Sequence, residues 1–153
     1  MIEWPDQRAN AERLRRRLLE VCNRRGVPVN YKREVKMQDG TPAWGLASEQ
    51  GIEMEYQDDV IAEVHTLVHE LSHCCLHVGG DDVSRRQEEF EANTIASILL
   101  EAYGVGPQTP RDRITERIAK AANFLIREVE HEKGCDVAES LSNFTAALEA
   151  YGR

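Results

Sequence analysis

The sequence contains no long apolar segment, and this absence limits the classes of protein that it can encode. No run of apolar residues approaches the roughly 20 that a membrane-spanning helix requires. The first residues, MIEWPDQRAN, are polar and acidic and lack the pattern of a signal peptide. We therefore expect a cytoplasmic protein with no membrane partner.

The sequence also lacks the paired cysteines that mark a redox motif or a disulfide framework. Its four cysteines, Cys22, Cys74, Cys75 and Cys135, form no CxxC pair. Without a secretion signal, this spacing favours reduced thiols in a cytosolic protein.

Repeats, low-complexity tracts and long linkers are missing as well. The chain has 153 residues, of which 41% are hydrophobic and 30% are charged, as in ordinary globular proteins. This length is sufficient for one hydrophobic core, so we expect a single domain over residues 1–153.

Basic residues are scarce beyond residue 36. Residues 1–36 contain ten Lys/Arg and five Asp/Glu, a net charge of +5, whereas the remainder contains nine and twenty-two, a net charge of −13. The basic part includes RLRRRLLEVCNRRG on a predicted helix. This stretch is interpreted either as a solvated helix face or as a contact for nucleic acid or an acidic partner.

Periodicity and capping residues predict an α+β domain. Asp6, Asp58 or Asp59, and Ser84 are suited to cap helices, and Gly26 is suited to end the first one. Between the first two helices, VPVNYKREVKM, AWGLAS and GIEMEYQ have strand character and predict a small three-stranded antiparallel sheet. Five helices are predicted, over residues 6–25, 59–78, 85–103, 110–134 and 136–151.

The stretch HTLVHELSHCCLH contains four of the five histidines, His65, His69, His73 and His77. A four-residue step on an α-helix moves a side chain by about 40° around the axis and about 6 Å along it. All four histidines therefore share one helix face. Because Zn–N bonds are about 2.0–2.1 Å long, one ion can bind two adjacent histidines but not three.

Glu70 distinguishes the middle pair, because only His69 is followed by an acid, in the motif HELSH. Glu70 lies about 60° from His73, where it can flank a bound ion and act as general base toward a water. The apolar residues of this helix lie on the opposite face. We assign His65 and His77 structural or hydrogen-bonding roles.

The third ligand is sought on the next helix, which offers Glu88, Glu89 and Glu91. On a helical wheel Glu91 falls on the apolar face. Glu88 lies about 60° from Glu91, on the same face, and Glu89 lies about 160° from Glu91, off that face. A carboxylate on a core face requires a partner, so we choose Glu91 and keep Glu88 as the alternative.

HTLVHELSHCCLH followed by EEFEANTIASILL resembles the ImmA/IrrE-type and ArdC-like (antirestriction) zinc metallopeptidases, over roughly residues 40–103. RITERIAKAANFLI is similar to the helix that follows in ArdC-like proteins. The resemblance implies a zincin-like domain of the gluzincin type. It implies that His69, His73 and Glu91 bind Zn²⁺ and that Glu70 is the catalytic acid/base.

These observations predict a zinc-dependent metallopeptidase that hydrolyses peptide bonds of an intracellular protein partner. Glu70 would take a proton from water and pass it to the leaving amine. An extended substrate would pair with an exposed sheet edge, for which GIEMEYQ is the candidate. Tyr56 and Tyr103 are the candidates for stabilising the oxyanion.

Two alternatives remain open. In the first, the zinc site is structural and the protein acts as a binding or regulatory module through its basic helix. Glu70 argues against this, because structural zinc needs no base beside it. In the second, the chain is an antirestriction-type protein that associates with nucleic acid, although the charge of −13 beyond residue 36 argues against extended contact with DNA.

Overall fold

The computed structural model describes residues 6–77, 83–106, 112 and 114–130, and it confirms the α+β class within them. The described part contains four helices and five strands. The second and third helices carry residues that line a cavity. In chain order the elements are α1 (Gln7–Arg25), β1 (Val29–Lys32), β2 (Val35–Lys36), β3 (Pro42–Ala43), β4 (Gly45–Ser48), β5 (Gly51–Glu55), α2 (Val60–Leu76), α3 (Arg85–Ala102) and α4 (Glu116–Val129).

The predicted capping residues of the first three helices are confirmed. The Asp6 side chain accepts a hydrogen bond from the Ala9 amide, and Gly26 ends α1 with a positive φ of 70°. The Asp59 carboxylate accepts from the Ile61 amide at the start of α2. Ser84 Oγ accepts from the Gln87 amide at the start of α3.

The start of α4 differs from the prediction. We expected this helix to begin at Thr109-Pro110, whereas α4 begins at Glu116. Thr115 caps it, since its side chain accepts from the Ile118 amide. A threonine cap with an acid at the first helical position defines this start better than a proline does. The helix predicted over 136–151 lies outside the described residues.

The prediction of a three-stranded antiparallel sheet was wrong in topology. The sheet has the order β1-β5-β4, and β5 pairs antiparallel with β4 but parallel with β1. β2 and β3 form a separate antiparallel pair. The segment that follows β1 contains β2, β3 and β4, and it acts as the crossover that a parallel pair needs.

The core lies between α2 and the other helices, on the face of α2 away from its histidines. Val64, Leu67, Val68 and Leu71 are buried there. The core also contains Leu14, Leu18, Ile52, Met54, Ile95, Leu99, Ile118 and Leu125. Because α2 buries one face in this core, its opposite face points toward the sheet. That face can line a cavity between α2 and the sheet.

No helix in the described segments is both long enough and apolar enough to span a membrane.

Candidate metal centre

The histidine face of α2 forms one wall of a cavity of about 710 Å³. Strand β4, from Gly45 to Ser48, forms the facing wall. The N-terminal half of α3 closes the third side with Arg85, Glu88, Glu89 and Asn93. α2 and α3 therefore direct ionisable side chains into one space, and β4 bounds it on the side that faces α2.

His69, His73 and Glu89 approach one another in this cavity. The two Nε2 atoms are 3.1 Å apart. Glu89 Oε2 lies 3.1 Å from His69 Nε2, and Glu89 Oε1 lies 3.1 Å from His73 Nε2. With Zn–ligand bonds of 2.0–2.1 Å, the ligand atoms of a tetrahedral site are about 3.3 Å apart. The spacing of these three groups is close to that of three zinc ligands.

Hydrogen bonds on the far side of each ring indicate which nitrogen carries the proton. Asn93 Oδ1 is 2.8 Å from His69 Nδ1, and an oxygen can only accept there. His73 Nδ1 lies 2.8 Å from His77 Nδ1, and His77 Nε2 lies 2.9 Å from Glu91 Oε1. The Glu91 carboxylate accepts from His77 Nε2, and in this Nε2–H tautomer His77 Nδ1 accepts from His73 Nδ1. Both Nε2 atoms that face Glu89 then present lone pairs.

Burial keeps the His73 ring of this arrangement uncharged. Burial and the neighbouring His69 lower the pKa of His73 to about 4, in spite of the opposing effect of Glu89. A neutral His73 makes no ion pair with Glu89, so lone pairs and a carboxylate face one another without a proton between them. Such a set of donors fits a cation at its centre.

Glu91 does not reach the histidine pair, contrary to the sequence-based expectation. Its side chain is only 2% exposed, and its carboxylate lies between His77 Nε2 and Arg117 Nε, at 2.9 and 2.8 Å. The burial inferred from the helical wheel is correct, but the partners are His77 and Arg117. Glu88 lies near His73 and His77 instead of His69.

Glu70 is buried against strand β4. Burial raises the pKa of its carboxyl to about 7, the charge of Glu89 adds to this effect, and a backbone hydrogen bond from Ala47 opposes it. A Cβ atom on Gly45 would lie 2.8 Å from Glu70 Cγ and 2.9 Å from Thr66 Cγ2. The glycine therefore permits close contact of β4 with α2 beside the predicted base.

The tyrosines proposed for the oxyanion lie away from the cavity. Tyr56 is exposed and packs against the Tyr31 ring, with 5.6 Å between ring centroids. The Tyr103 hydroxyl donates to Glu130 at 2.8 Å. His65 does line the cavity, and burial, followed by the charge of His69, lowers its pKa.

Sequence reasoning considered Glu89 but set it aside because it lies off the apolar face, and it did not identify Asn93 and Arg117. Glu89 and Asn93 are four residues apart on α3, so they share a helix face. That spacing matches the spacing of His69 and His73 on α2. It is the signal that could have identified both residues as partners of the histidines. Arg117 lies on α4, and no local pattern connects it to this site.

Four of the seven arginines of α1 form ion pairs with carboxylates outside this helix. Arg15 contacts Glu63 of α2 at 3.0 Å, and Arg17 contacts Glu130 at 3.1 Å. Arg24 and Arg25 both contact Glu128 of α4. These contacts account for much of the basic character of the helix without nucleic acid.

The chain matches no protein-family model, no curated protein and no solved structure.

Proposed function

We propose that this chain is a zinc-dependent peptidase with a zincin-like arrangement, in which His69, His73 and Glu89 bind the ion and Glu70 is the general base. The observation that carries the proposal is the convergence of two histidine Nε2 atoms and one carboxylate at 3.1 Å. Three protein ligands leave the fourth position that a catalytic zinc site needs.

Bound Zn²⁺ would supply Lewis acidity toward a carbonyl oxygen and a water molecule. Glu70 follows His69 in the sequence and lies on the wall of the same cavity. Its carboxylate takes a proton from the attacking water and passes it to the leaving amine. The hydrogen bond from Ala47 holds the carboxylate against β4.

Strand β4 supports a peptide as the substrate class. β4 is an edge strand, and every residue from Gly45 to Ser48 lines the cavity. An extended peptide that pairs with this edge would place its backbone beside Glu70. The sequence-based candidate, GIEMEYQ, contains β5, which is the central strand and is paired on both sides.

The test combines metal analysis with the variant Glu70→Gln. We expect one zinc per chain and hydrolysis of a peptide library by the wild-type protein. Glu70→Gln should retain the zinc and lose hydrolysis by roughly 10²-fold or more, because only the proton acceptor is removed. Glu49→Gln makes the same chemical change elsewhere on the cavity wall and should retain both properties. Equal hydrolysis by wild type and Glu70→Gln would exclude Glu70 as the base.

A further inference from the structure

A continuous series of polar contacts connects three helices to His73. Arg117 of α4 lies 2.8 Å from Glu91 of α3, and Glu91 lies 2.9 Å from His77 at the end of α2. His77 Nδ1 lies 2.8 Å from His73 Nδ1. His73 therefore has one nitrogen in the cavity and the other at the end of this series.

The polar side chains of this series are largely buried, and burial of a polar group is costly unless the group has a partner. The side chains of Glu91 and His77 are 2% and 3% exposed, and that of Arg117 is 12% exposed. A buried carboxylate without a partner costs several kcal/mol, whereas here each carboxylate oxygen faces a nitrogen. His77 and Glu91 thus have a defined structural position that the proposed peptidase mechanism does not use.

The carboxylate of Glu91 determines which nitrogen of each histidine in the series donates a hydrogen bond and which accepts one. The Glu91 carboxylate faces the guanidinium of Arg117 at 2.8 Å, and its oxygens accept hydrogen bonds. His77 Nε2 consequently donates to Glu91, and in this Nε2–H tautomer His77 Nδ1 is the acceptor. His73 Nδ1 then carries a proton, and its Nε2 lone pair points toward His69 and Glu89.

We propose that Arg117, Glu91 and His77 are positioning residues that fix the ring orientation and the tautomer of His73 for metal binding. This inference rests on the zinc site of the proposed function, but it does not depend on hydrolysis. Groups of this kind outside the ligand set orient metal-binding histidines and increase their basicity.

A second cation bound by His73, His77 and Glu88 is the competing interpretation, because these side chains also lie close together. The distance between His73 Nδ1 and His77 Nδ1 favours the hydrogen bond. At 2.8 Å it is a hydrogen-bond length, and it is shorter than the separation of about 3.3 Å between two ligands on one zinc.

The test measures zinc affinity by competition with a chelator for the wild type, His77→Phe and His77→Asn. His77→Phe removes the acceptor for His73 Nδ1 and should weaken zinc binding by about 10- to 100-fold. His77→Asn can present an amide oxygen near the position of Nδ1, so it should recover part of the affinity. His65→Phe is the matched control, since it alters the outer histidine on the other side of the pair, and its affinity should stay within about twofold of the wild type.

A second measurement uses the metal-free protein and addresses the tautomers directly. Imidazole ¹⁵N spectra of the wild type should show the Nδ1–H form for His73 and the Nε2–H form for His77. His73 should shift toward the usual Nε2–H form in His77→Phe. This measurement applies to His77→Asn as well, so it remains informative if the phenylalanine variant folds poorly.

The outcomes separate this inference from the peptidase proposal. Zinc binding that weakens as expected, in a protein without hydrolysis, would support the positioning role and overturn the peptidase. Unchanged affinity in His77→Phe, or a wild-type His73 protonated on Nε2, would overturn the positioning role alone. Two zinc ions per chain, one of them lost in His77→Phe, would replace it with a second metal site.

Discussion

Glu89 and Glu91 lie two positions apart on α3 and differ in environment. The Glu89 side chain is 45% exposed and contacts the histidine pair, whereas Glu91 is 2% exposed and lies between His77 and Arg117. We expect Glu89→Ala to reduce zinc affinity while leaving the unfolding free energy of the metal-free protein within about 1 kcal/mol of wild type. Glu91→Ala should destabilise the metal-free protein by about 3–5 kcal/mol, because it removes a buried carboxylate that contacts both Arg117 and His77.

Chelator competition and urea unfolding of the two metal-free variants measure these two effects. If Glu89→Ala binds zinc as the wild type does, while Glu91→Ala folds normally and loses zinc, the third ligand is Glu91.

The residues of the site differ in how far the sequence could predict them. The HELSH spacing and the apolar face of α2 are local features, so they place His69, His73 and Glu70 correctly beside the cavity. The wheel for α3 also predicts that Glu91 is buried. However, a helical wheel of α3 contains no information about Arg117, because this residue lies on another helix. Arg117 contacts the Glu91 carboxylate, for which the sequence predicts a metal as partner. The side of α3 that borders the cavity is the one that carries Glu89 and Asn93. The pattern of a single helix does not reveal which of its sides borders a cavity.

At the scale of elements, the contact between β4 and α2 controls the position of the predicted base. The two nearest atoms to a Cβ on Gly45 would be Glu70 Cγ and Thr66 Cγ2, both closer than 3.0 Å. We expect Gly45→Ala to displace the Glu70 side chain or the strand by a fraction of an ångström. Hydrolysis should then fall by about 10-fold or more with little change in zinc affinity.

A double variant checks that this effect is steric. Thr66→Ser removes Cγ2 and keeps the hydroxyl, so Gly45→Ala combined with Thr66→Ser should recover part of the rate, measured against Thr66→Ser alone. A Gly45→Ala protein with the wild-type rate would show that β4 does not limit the position of Glu70.

The element boundaries were predicted best where the signal lies within a few residues. Asp6, Asp59 and Ser84 each bond an amide two or three residues ahead, and all three helix starts were correct. The parallel pairing of β1 with β5 depends on the course of the intervening 18 residues. Strand propensity does not specify that course, and the sheet was therefore predicted with the wrong pairing.

At the scale of the whole molecule, the uneven charge of the sequence becomes internal complementarity. The basic helix α1 packs on the acidic remainder, and its arginines contact carboxylates on α2 and at the end of α4. Ion pairs between residues 1–36, with a net charge of +5, and the remainder, with a net charge of −13, thus neutralise part of both charges. We infer that the arginines stabilise helix packing, and this inference leads to a prediction about pH.

Glu128 is the most buried carboxylate of this interface, with its side chain 2% exposed between Arg24 and Arg25. Burial alone would raise the pKa of Glu128, but the hydrogen bonds and charges of Arg25 and Arg24 outweigh it and hold the pKa below its ordinary value of 4.5. A carboxyl with a lowered pKa in the folded state stabilises the protein above its ordinary pKa. That stabilisation is lost as the pH falls through the folded-state value.

We therefore expect Glu128→Gln to lower the unfolding free energy by about 3 kcal/mol near pH 7, because two arginines lose their charged partner. The difference from wild type should shrink as the pH falls from 4.5 through the lower folded-state pKa, at which the wild-type carboxyl also becomes neutral. Urea unfolding of both proteins over this range measures the difference, and other titrating groups cancel in it. Glu130→Gln alters an exposed pair with Arg17 and should cost no more than about 1 kcal/mol. A difference for Glu128→Gln that is independent of pH would mean that the side chain contributes by packing, since charge would then play no part in its effect.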